Sequence, residues 1–192
     1  MERFLTLQGE GYWSGSAAWF IRLAGCDVGC TWCDVKESWQ EESHPRVALK
    51  TLVDEAETCG AKICVITGGE PLLHDLTDLT GSLRRVGLRV HLETSGTRPL
   101  SGQFDWITFS PKKFKAAQDF FYNRHDELKI IVHNPHDLVW AEEQASKCPN
   151  IGHRFLQPDW FRPEASTWII EYVKTHPDWR ISLQTHKFMN IP

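Results

Sequence analysis

The sequence predicts an α/β protein, folded as a partial, TIM-like β/α barrel of about six strands. Short β-branched runs alternate with amphipathic helical stretches, the pattern of βα units around a parallel sheet. Nearly every glycine-rich or polar motif directly follows a predicted strand, and α/β folds gather their ligand sites at those carboxyl ends. The length of 192 residues falls just below the usual range of a complete eight-fold barrel. No repeat or low-complexity linker interrupts the alternation, so residues 1–192 read as a single domain.

In chain order, residues 18–23 are the first predicted strand. Residues 24–39 follow with glycines, cysteines and no period, so they form a loop leaving that strand's C-terminal end. Pro45 opens a helix with Leu49, Leu52, Val53 and Ala56 on one face and Gly60 as its C-cap. Residues 62–67 form a second strand, followed by Gly68-Gly69-Glu70-Pro71. The next helix carries Leu76, Leu79, Leu83 and Val86 at i, i+3, i+7 and i+10, and Gly87 ends it. Further strands are predicted at 89–93, 106–110, 127–132, 153–157 and 180–184, with helices near 135–147 and 164–175.

Composition excludes several function classes. Lys+Arg is 21 against Asp+Glu 25, a formal charge of −4, and no basic run tracks a phosphate backbone, so direct nucleic-acid binding is not expected. The longest apolar stretches, 63–67 and 128–132, are strand length, far short of the ~20 residues a membrane span needs. Met1-Glu2-Arg3-Phe4 carries no signal-peptide h-region, so a cytoplasmic location is expected. Thiols there are kept reduced, and clustered cysteines point to metal or catalysis. Of six cysteines, Cys59, Cys64 and Cys148 are scattered and read as small buried residues, whereas Cys26, Cys30 and Cys33 crowd into one loop.

The spacing Cys26-x-x-x-Cys30-x-x-Cys33 can wrap an iron–sulfur cubane and leave one iron without a protein ligand. Such an opening resembles the position a catalytic metal keeps for substrate or water. A structural zinc site would need a fourth ligand, for which His44 or Cys148 could serve, but no second Cys-x-x-Cys pair follows. Three plain buried thiols so close together in a glycine-containing loop are hard to pack as hydrophobes.

The octet Cys26-Asp27-Val28-Gly29-Cys30-Thr31-Trp32-Cys33 resembles the CxxxCxΦC signature of radical S-adenosylmethionine (SAM) enzymes, with Trp32 at the aromatic position. That resemblance implies a 4Fe-4S cluster on Cys26, Cys30 and Cys33, with SAM on its open iron beside Trp32, Cys33 and Asp34. Gly68-Gly69-Glu70-Pro71 is similar to the superfamily's GGE motif. After a strand, Gly68 and Gly69 expose backbone carbonyls to a ligand, and Glu70 could accept from a ligand ammonium.

Outside the cluster, Leu7-Gln8-Gly9-Glu10-Gly11, residues 20–26, Cys33-Asp34, Glu93-Thr94-Ser95-Gly96, Ser110-Pro111-Lys112, Phe155-Leu156-Gln157-Pro158 and Gln184-Thr185-His186-Lys187 together resemble the 7-carboxy-7-deazaguanine synthase family. The matches span almost the whole chain. That family makes 7-carboxy-7-deazaguanine from 6-carboxy-tetrahydropterin, releasing ammonia, an early step toward queuosine and related modified nucleosides. Arg22 offers a planar fork of donors for the substrate carboxylate. Gln8 and Glu10, with the backbone of Leu7 and Gly9, offer acceptors and donors to the pterin edge. The resemblance further implies substrate contacts at Thr94 and His186, and a pocket closed by the terminal carboxylate of Pro192. It places Gly96, Ser110, Pro111, Lys112 and Gln157 on SAM.

The implied mechanism reduces the cluster, cleaves SAM to a 5′-deoxyadenosyl radical, removes hydrogen from substrate C6 and later returns it, so that SAM is regenerated. It requires an external low-potential donor such as a flavodoxin. The family usually has Thr after Cys33-Asp34, where its hydroxyl serves a magnesium ion; here Val35 stands there and cannot ligate a hard cation. Magnesium therefore stays open, with no protein ligand assigned. Two other readings remain at this point, a glycyl-radical activase and a zinc-stabilised binding module without chemistry. A partial barrel exposes sheet edges, and nine tryptophans suit covering them, so a homodimer is expected.

Overall fold

The computed structural model describes residues 1–150 and 152–192. Among these residues one sheet runs in the order β1-β2-β3-β4-β5-β6-β7-β8 and does not close on itself. Its strands are β1 (Glu2–Leu7), β2 (Ala17–Leu23), β3 (Ile63–Gly68), β4 (Arg89–Thr94), β5 (Trp106–Phe109), β6 (Glu127–Val132), β7 (His153–Pro158) and β8 (Trp179–Ile181). Strands β2 to β8 are parallel and β1 pairs antiparallel with β2, from Glu2 opposite Arg22 to Leu7 opposite Ala17.

The partial barrel is thus present, with eight strands rather than about six: the seven placed along the sequence and an added hairpin partner at its start. Strand β1 escaped the sequence reading because its residues are exposed or half-buried and give no core signal. Its place at a sheet edge, with one neighbour only, is why the burial is weak. The last strand ends at Ile181 rather than at residue 184, because the chain turns there toward a short helix, α6 (Thr185–Met189). The first helix, α1 (Leu49–Thr58), begins four residues after Pro45, and the segment before it is extended. Helices α2 (Thr77–Arg85), α4 (His136–Ser146) and α5 (Ala165–Thr175) follow the prediction, while α3 (Asp119–Asn123) is too short to show a period.

Strand alternation divides the core in two. On β2, Ile21 joins the large cluster between sheet and helices with Ile66, Leu83, Leu92 and Leu128, and Trp179 is its largest fully buried side chain. Ala18 and Phe20 face the other way and join Ile63 and Val65 inside the barrel, where Phe4 stacks on Phe20 at 5.5 Å. Above this small apolar floor the inward positions turn polar: Arg22, Thr67, Glu93, Thr108, Lys129 and Gln157 all face one cavity. The lower part holds the packing and the upper part holds the chemistry. Among the described residues no helix is long and apolar enough to cross a membrane.

Candidate active site

The cysteine loop leaves β2 at its C-terminal end and returns through two short 3-10 turns, Lys36–Trp39 and Glu41–Ser43. Its base is closed by Gly25 N–H donating to the Ser38 carbonyl at 2.7 Å and Cys26 N–H to the Trp39 carbonyl at 3.3 Å. Cys33 N–H donates to the Cys30 carbonyl at 3.1 Å, a tight turn that brings the second and third thiols round one corner. Asp27 is tied down from outside by Lys115 at 2.6 Å and by Arg98. Burial pushes the Cys30 thiol up to about 11, against the pull of Lys112, and lifts Cys26 too, so a metal must displace protons to bind them.

All three cysteines line one cavity of about 290 Å³. Among the described residues no three His, Cys, Asp or Glu groups converge tightly enough to hold a single metal ion. The zinc alternative also loses its fourth ligand. His44 Nε2 lies 2.8 Å from the Glu37 carbonyl, and Cys148 is buried past α4 with its thiol on the Gln144 carbonyl at 3.4 Å. Three thiols on one cavity wall, with no fourth among the described residues, fit an iron–sulfur cluster open on one side.

Gly69 supports that fit by close approach. A Cβ there would fall 2.7 Å from Cys26 Cβ and onto the Gly25 carbonyl oxygen, so only glycine lets the turn after β3 lie against the cysteine loop. Backbone bonds lock the pair, Gly69 N–H to Leu23 O at 3.1 Å and Glu70 N–H to Gly25 O at 2.8 Å. Glu70 itself is 1% exposed and turned away from the cavity. Its carboxylate accepts from Leu72 N–H at 3.1 Å, Thr94 O–H at 2.6 Å, Ser95 N–H at 2.9 Å and the Ser95 hydroxyl. Those four donors occupy the lone pairs that a ligand ammonium would have used, so Glu70 acts as the clamp between the β3 and β4 turns.

Opposite chain ends build the rest of the cavity. Gln8, Gly9 and Glu10 form the turn after β1, and α6 packs on it: Thr185 N–H donates to the Gly9 carbonyl at 2.9 Å and Gln184 Nε2 to Glu10 at 3.0 Å. A Cβ on Gly9 would stand 2.8 Å from His186 Cγ, which places the imidazole directly over that turn. Lys129 Nζ donates to Glu10 and lies 3.9 Å from Glu93, whose other oxygen accepts from Gln8 Nε2 at 2.9 Å. Burial alone would raise the Glu10 pKa, but the adjacent Lys129 and Gln184 hold it below the ordinary value. His186 is lowered by burial, with Glu10 pulling the other way. Arg22 Nε is 2.9 Å from the Glu2 carboxylate but off the angle of a hydrogen bond, and it has no other partner among the described residues.

Of the predicted site residues, Leu7, Pro192, Trp32, Asp34, Ser110 and Lys112 also line this cavity, as do Gly68, Thr94 and Gln157. Lys112 Nζ reaches back to the Ser110 carbonyl at 2.5 Å and lies 5.8 Å over the Trp32 ring. Thr94 has its hydroxyl committed to Glu70, and Gln157 accepts from Ser182 at 2.9 Å. Gly96 packs against Phe109 and Phe121, and Pro111 lines a separate outer cleft, so neither faces the cavity. Val35 does face it, with a side chain of carbon only. Asp34 beside it accepts from Gln184 at 3.1 Å and from Lys187; burial raises its pKa, these partners lower it further, and the net shift is downward.

Sequence reasoning missed Glu93, Lys129 and Thr67. The signal was present in β6, where Glu127, Lys129 and Ile131 alternate on one face, but the apolar run 128–132 hid it. Thr67 has the freer hydroxyl of the two threonines, its one partner being Glu93 at 3.4 Å.

Comparison with known proteins agrees with this geometry. Residues 20–124 match the Radical SAM superfamily. The chain is 51% identical to a 7-carboxy-7-deazaguanine synthase of Flavobacterium psychrophilum, covering all of this chain and 91% of that one. It is 50% identical to the synthase of that name from Synechocystis, covering 99% and 91%. The crystal structure of QueE from Escherichia coli superposes with a TM-score of 0.82 at 32% identity, over 95% of this chain and 91% of that one. A cysteine-lined, half-open barrel with this sequence kinship places the chain in the 7-carboxy-7-deazaguanine synthase family of the radical SAM superfamily.

Proposed function

We propose that this chain converts 6-carboxy-5,6,7,8-tetrahydropterin to 7-carboxy-7-deazaguanine with release of ammonia, on the route to queuosine and related 7-deazapurines. Arg22 carries the reading: its guanidinium, with Nε held only by the ion pair to Glu2 at 2.9 Å, belongs to the wall of the cavity that also holds Glu10 and Glu93. A planar cation suits the substrate carboxylate, and the two carboxylates suit its amide and amine N–H edge.

In this reading Gln8, Glu10 and the backbone of Leu7 and Gly9 take the pterin edge, while Thr94, His186 and Pro192 close round it. Cys26, Cys30 and Cys33 hold a 4Fe-4S cluster. Trp32, Asp34, Gly68, Gly69, Ser110 and Lys112 surround SAM, with Gln157 beyond them. Together these groups supply, when bound, a carbon-centred radical able to remove a substrate hydrogen. The chain's own tasks are alignment and exclusion of water. The Gly68-Gly69 turn lets a ligand reach the backbone, Arg22 fixes one end of the substrate, and the Gln8–Glu10 turn under α6 fixes the other.

The residues near Asp34 do not fit a protein-held magnesium ion, because Val35 has no oxygen and Asp34 is already paired with Lys187. No step is assigned to that ion. The reading needs an external low-potential electron donor, such as a flavodoxin, and places residues 1–192 in the cytoplasm as one catalytic domain. A homodimer accompanies it, and a monomeric mass under native conditions at micromolar concentration would reject that pairing.

The test is anaerobic turnover of reconstituted protein with SAM, dithionite and 6-carboxy-tetrahydropterin, following product by mass. Formation of 7-carboxy-7-deazaguanine without stoichiometric SAM loss is expected. SAM cleavage with the pterin untouched would overturn the substrate assignment.

A further inference from the structure

Lys129 is the one lysine set in the middle of a strand inside the barrel among the described residues, and it is 5% exposed. A buried ammonium is costly unless paired, so its position calls for a purpose that packing does not supply. Its partners come from separate parts of the chain. Glu10 lies on the turn after β1 and Glu93 on β4, 3.9 Å from Nζ. Glu127, two residues back on the same strand, is engaged elsewhere, by Tyr12 N–H at 2.9 Å and Thr108 O–H at 2.9 Å. Lys112 after β5 and His186 on α6 complete the charged and titratable groups around this pair.

The remaining lone pairs matter most. One Glu10 oxygen takes Lys129 and the other takes Gln184, and each retains capacity for one further donor. Both Glu10 and Glu93 line the cavity. Without the ammonium between them, two carboxylates and a half-buried imidazole would compete for protons, and the turn carrying Glu10 would lose its anchor to the sheet.

We propose that Lys129 is a positioning residue for substrate recognition: its ammonium fixes the Glu10 carboxylate as an acceptor-only group against the donor edge of the fused heterocycle. This rests on the pterin reading above. The consequence is selectivity. A heterocycle presenting an acceptor where the substrate presents N–H meets a fixed anion and is rejected, because Glu10 cannot offer a proton. The lowered Glu10 pKa agrees with that role.

The experiment compares wild type, Lys129→Met, Lys129→Arg, Glu10→Gln and the double variant Glu10→Gln/Lys129→Met in the same reconstituted state. Lys129→Met is expected to raise KM for the pterin about tenfold or more, the size of one charge-assisted hydrogen bond, with kcat within about threefold. Lys129→Arg keeps the charge and should recover most of that loss. In the substrate-free protein, carbon-13 NMR should show the Glu10 carboxyl titrating at higher pH in Lys129→Met than in wild type. The double variant removes the Glu10–Lys129 pair together and leaves Glu93 with its Gln8 and Thr67 donors, and so guards against misfolding; its KM should equal that of Glu10→Gln alone, since Lys129 acts through Glu10. An unchanged KM in Lys129→Met, an unmoved Glu10 titration, or a further tenfold loss in the double variant would each overturn the proposal. If wild type fails to turn over the pterin, the substrate reading falls, and the Glu10 titration still decides whether Lys129 sets its charge.

Discussion

Replacing Glu70 by Gln changes one oxygen to NH2 and leaves the shape intact, which makes it a direct measure of the clamp between the β3 and β4 turns. Leu72 N–H and Thr94 O–H meet one carboxylate oxygen, and Ser95 N–H and O–H meet the other. Whichever oxygen is lost, the new amide faces one backbone N–H that cannot turn away. Two charge-assisted bonds disappear at about 1.5–3 kcal/mol each, and the hydroxyl of that pair can rotate to accept, recovering about 1 kcal/mol. The expected net loss is about 3 kcal/mol. With a urea m-value of about 2 kcal/mol/M, the unfolding midpoint falls by about 1.5 M at unchanged slope. Anaerobic urea titration of the cluster-free protein by circular dichroism reads this directly, and exposed Glu57→Gln serves as the control that should not move. A Glu70→Gln loss under about 1 kcal/mol would refute the clamp and return Glu70 to a role in ligand binding.

Gly69→Ala should leave the secondary structure intact yet lower iron incorporation, because the added methyl displaces the cysteine loop at Gly25 and Cys26; normal iron content and the wild-type visible spectrum would contradict it. His91 is 3% exposed and burial, helped by Arg89, lowers its pKa to about 4. The fold therefore binds the neutral ring, its contribution is complete above the unfolded pKa of about 6.5, and it is lost as pH falls toward 4. Between pH 7.5 and 5 that loss is about 2 kcal/mol, and His91→Gln should flatten the stability profile by this amount in urea melts at the two pH values. Turnover by wild type should respond little to added magnesium, whereas Val35→Thr, with an oxygen facing the cavity, should gain a response; strong stimulation of wild type would count against the paired Asp34–Lys187 arrangement.

The legible part of the fold was the part with a strong period. Strands β3 and β6 are nearly all buried, and α2 repeats its leucines at helical spacing, so both classes of element declared themselves. Strand β1 did not, because an edge strand with half-buried residues lacks a distinctive alternation. Likewise, Cys26, Cys30, Cys33 and Gly69 were readable because their chemistry is carried by local spacing. Lys129, Glu93 and Thr67 belong to the cavity only through the register of three strands, which no local pattern encodes. Glu70 shows the converse error: its motif was visible, but its four donors come from turns on two different strands, and they change what the carboxylate can do.

The meeting of α6 with the turn after β1 has a kinetic meaning. Glu10 and Gln184 are 174 residues apart in sequence and Gly9 and Thr185 are 176 apart, so during synthesis this contact can form only after almost all of these residues have been made. The parallel strands have their neighbours close in sequence, yet residues 8–10 must wait for residues 184–187. Packing of the sheet and competence to recognise a ligand therefore arise at different moments of biosynthesis. A nascent chain halted before α6 would hold its thiol loop over an unfinished cavity, open to oxidants during the interval before the two distant segments meet.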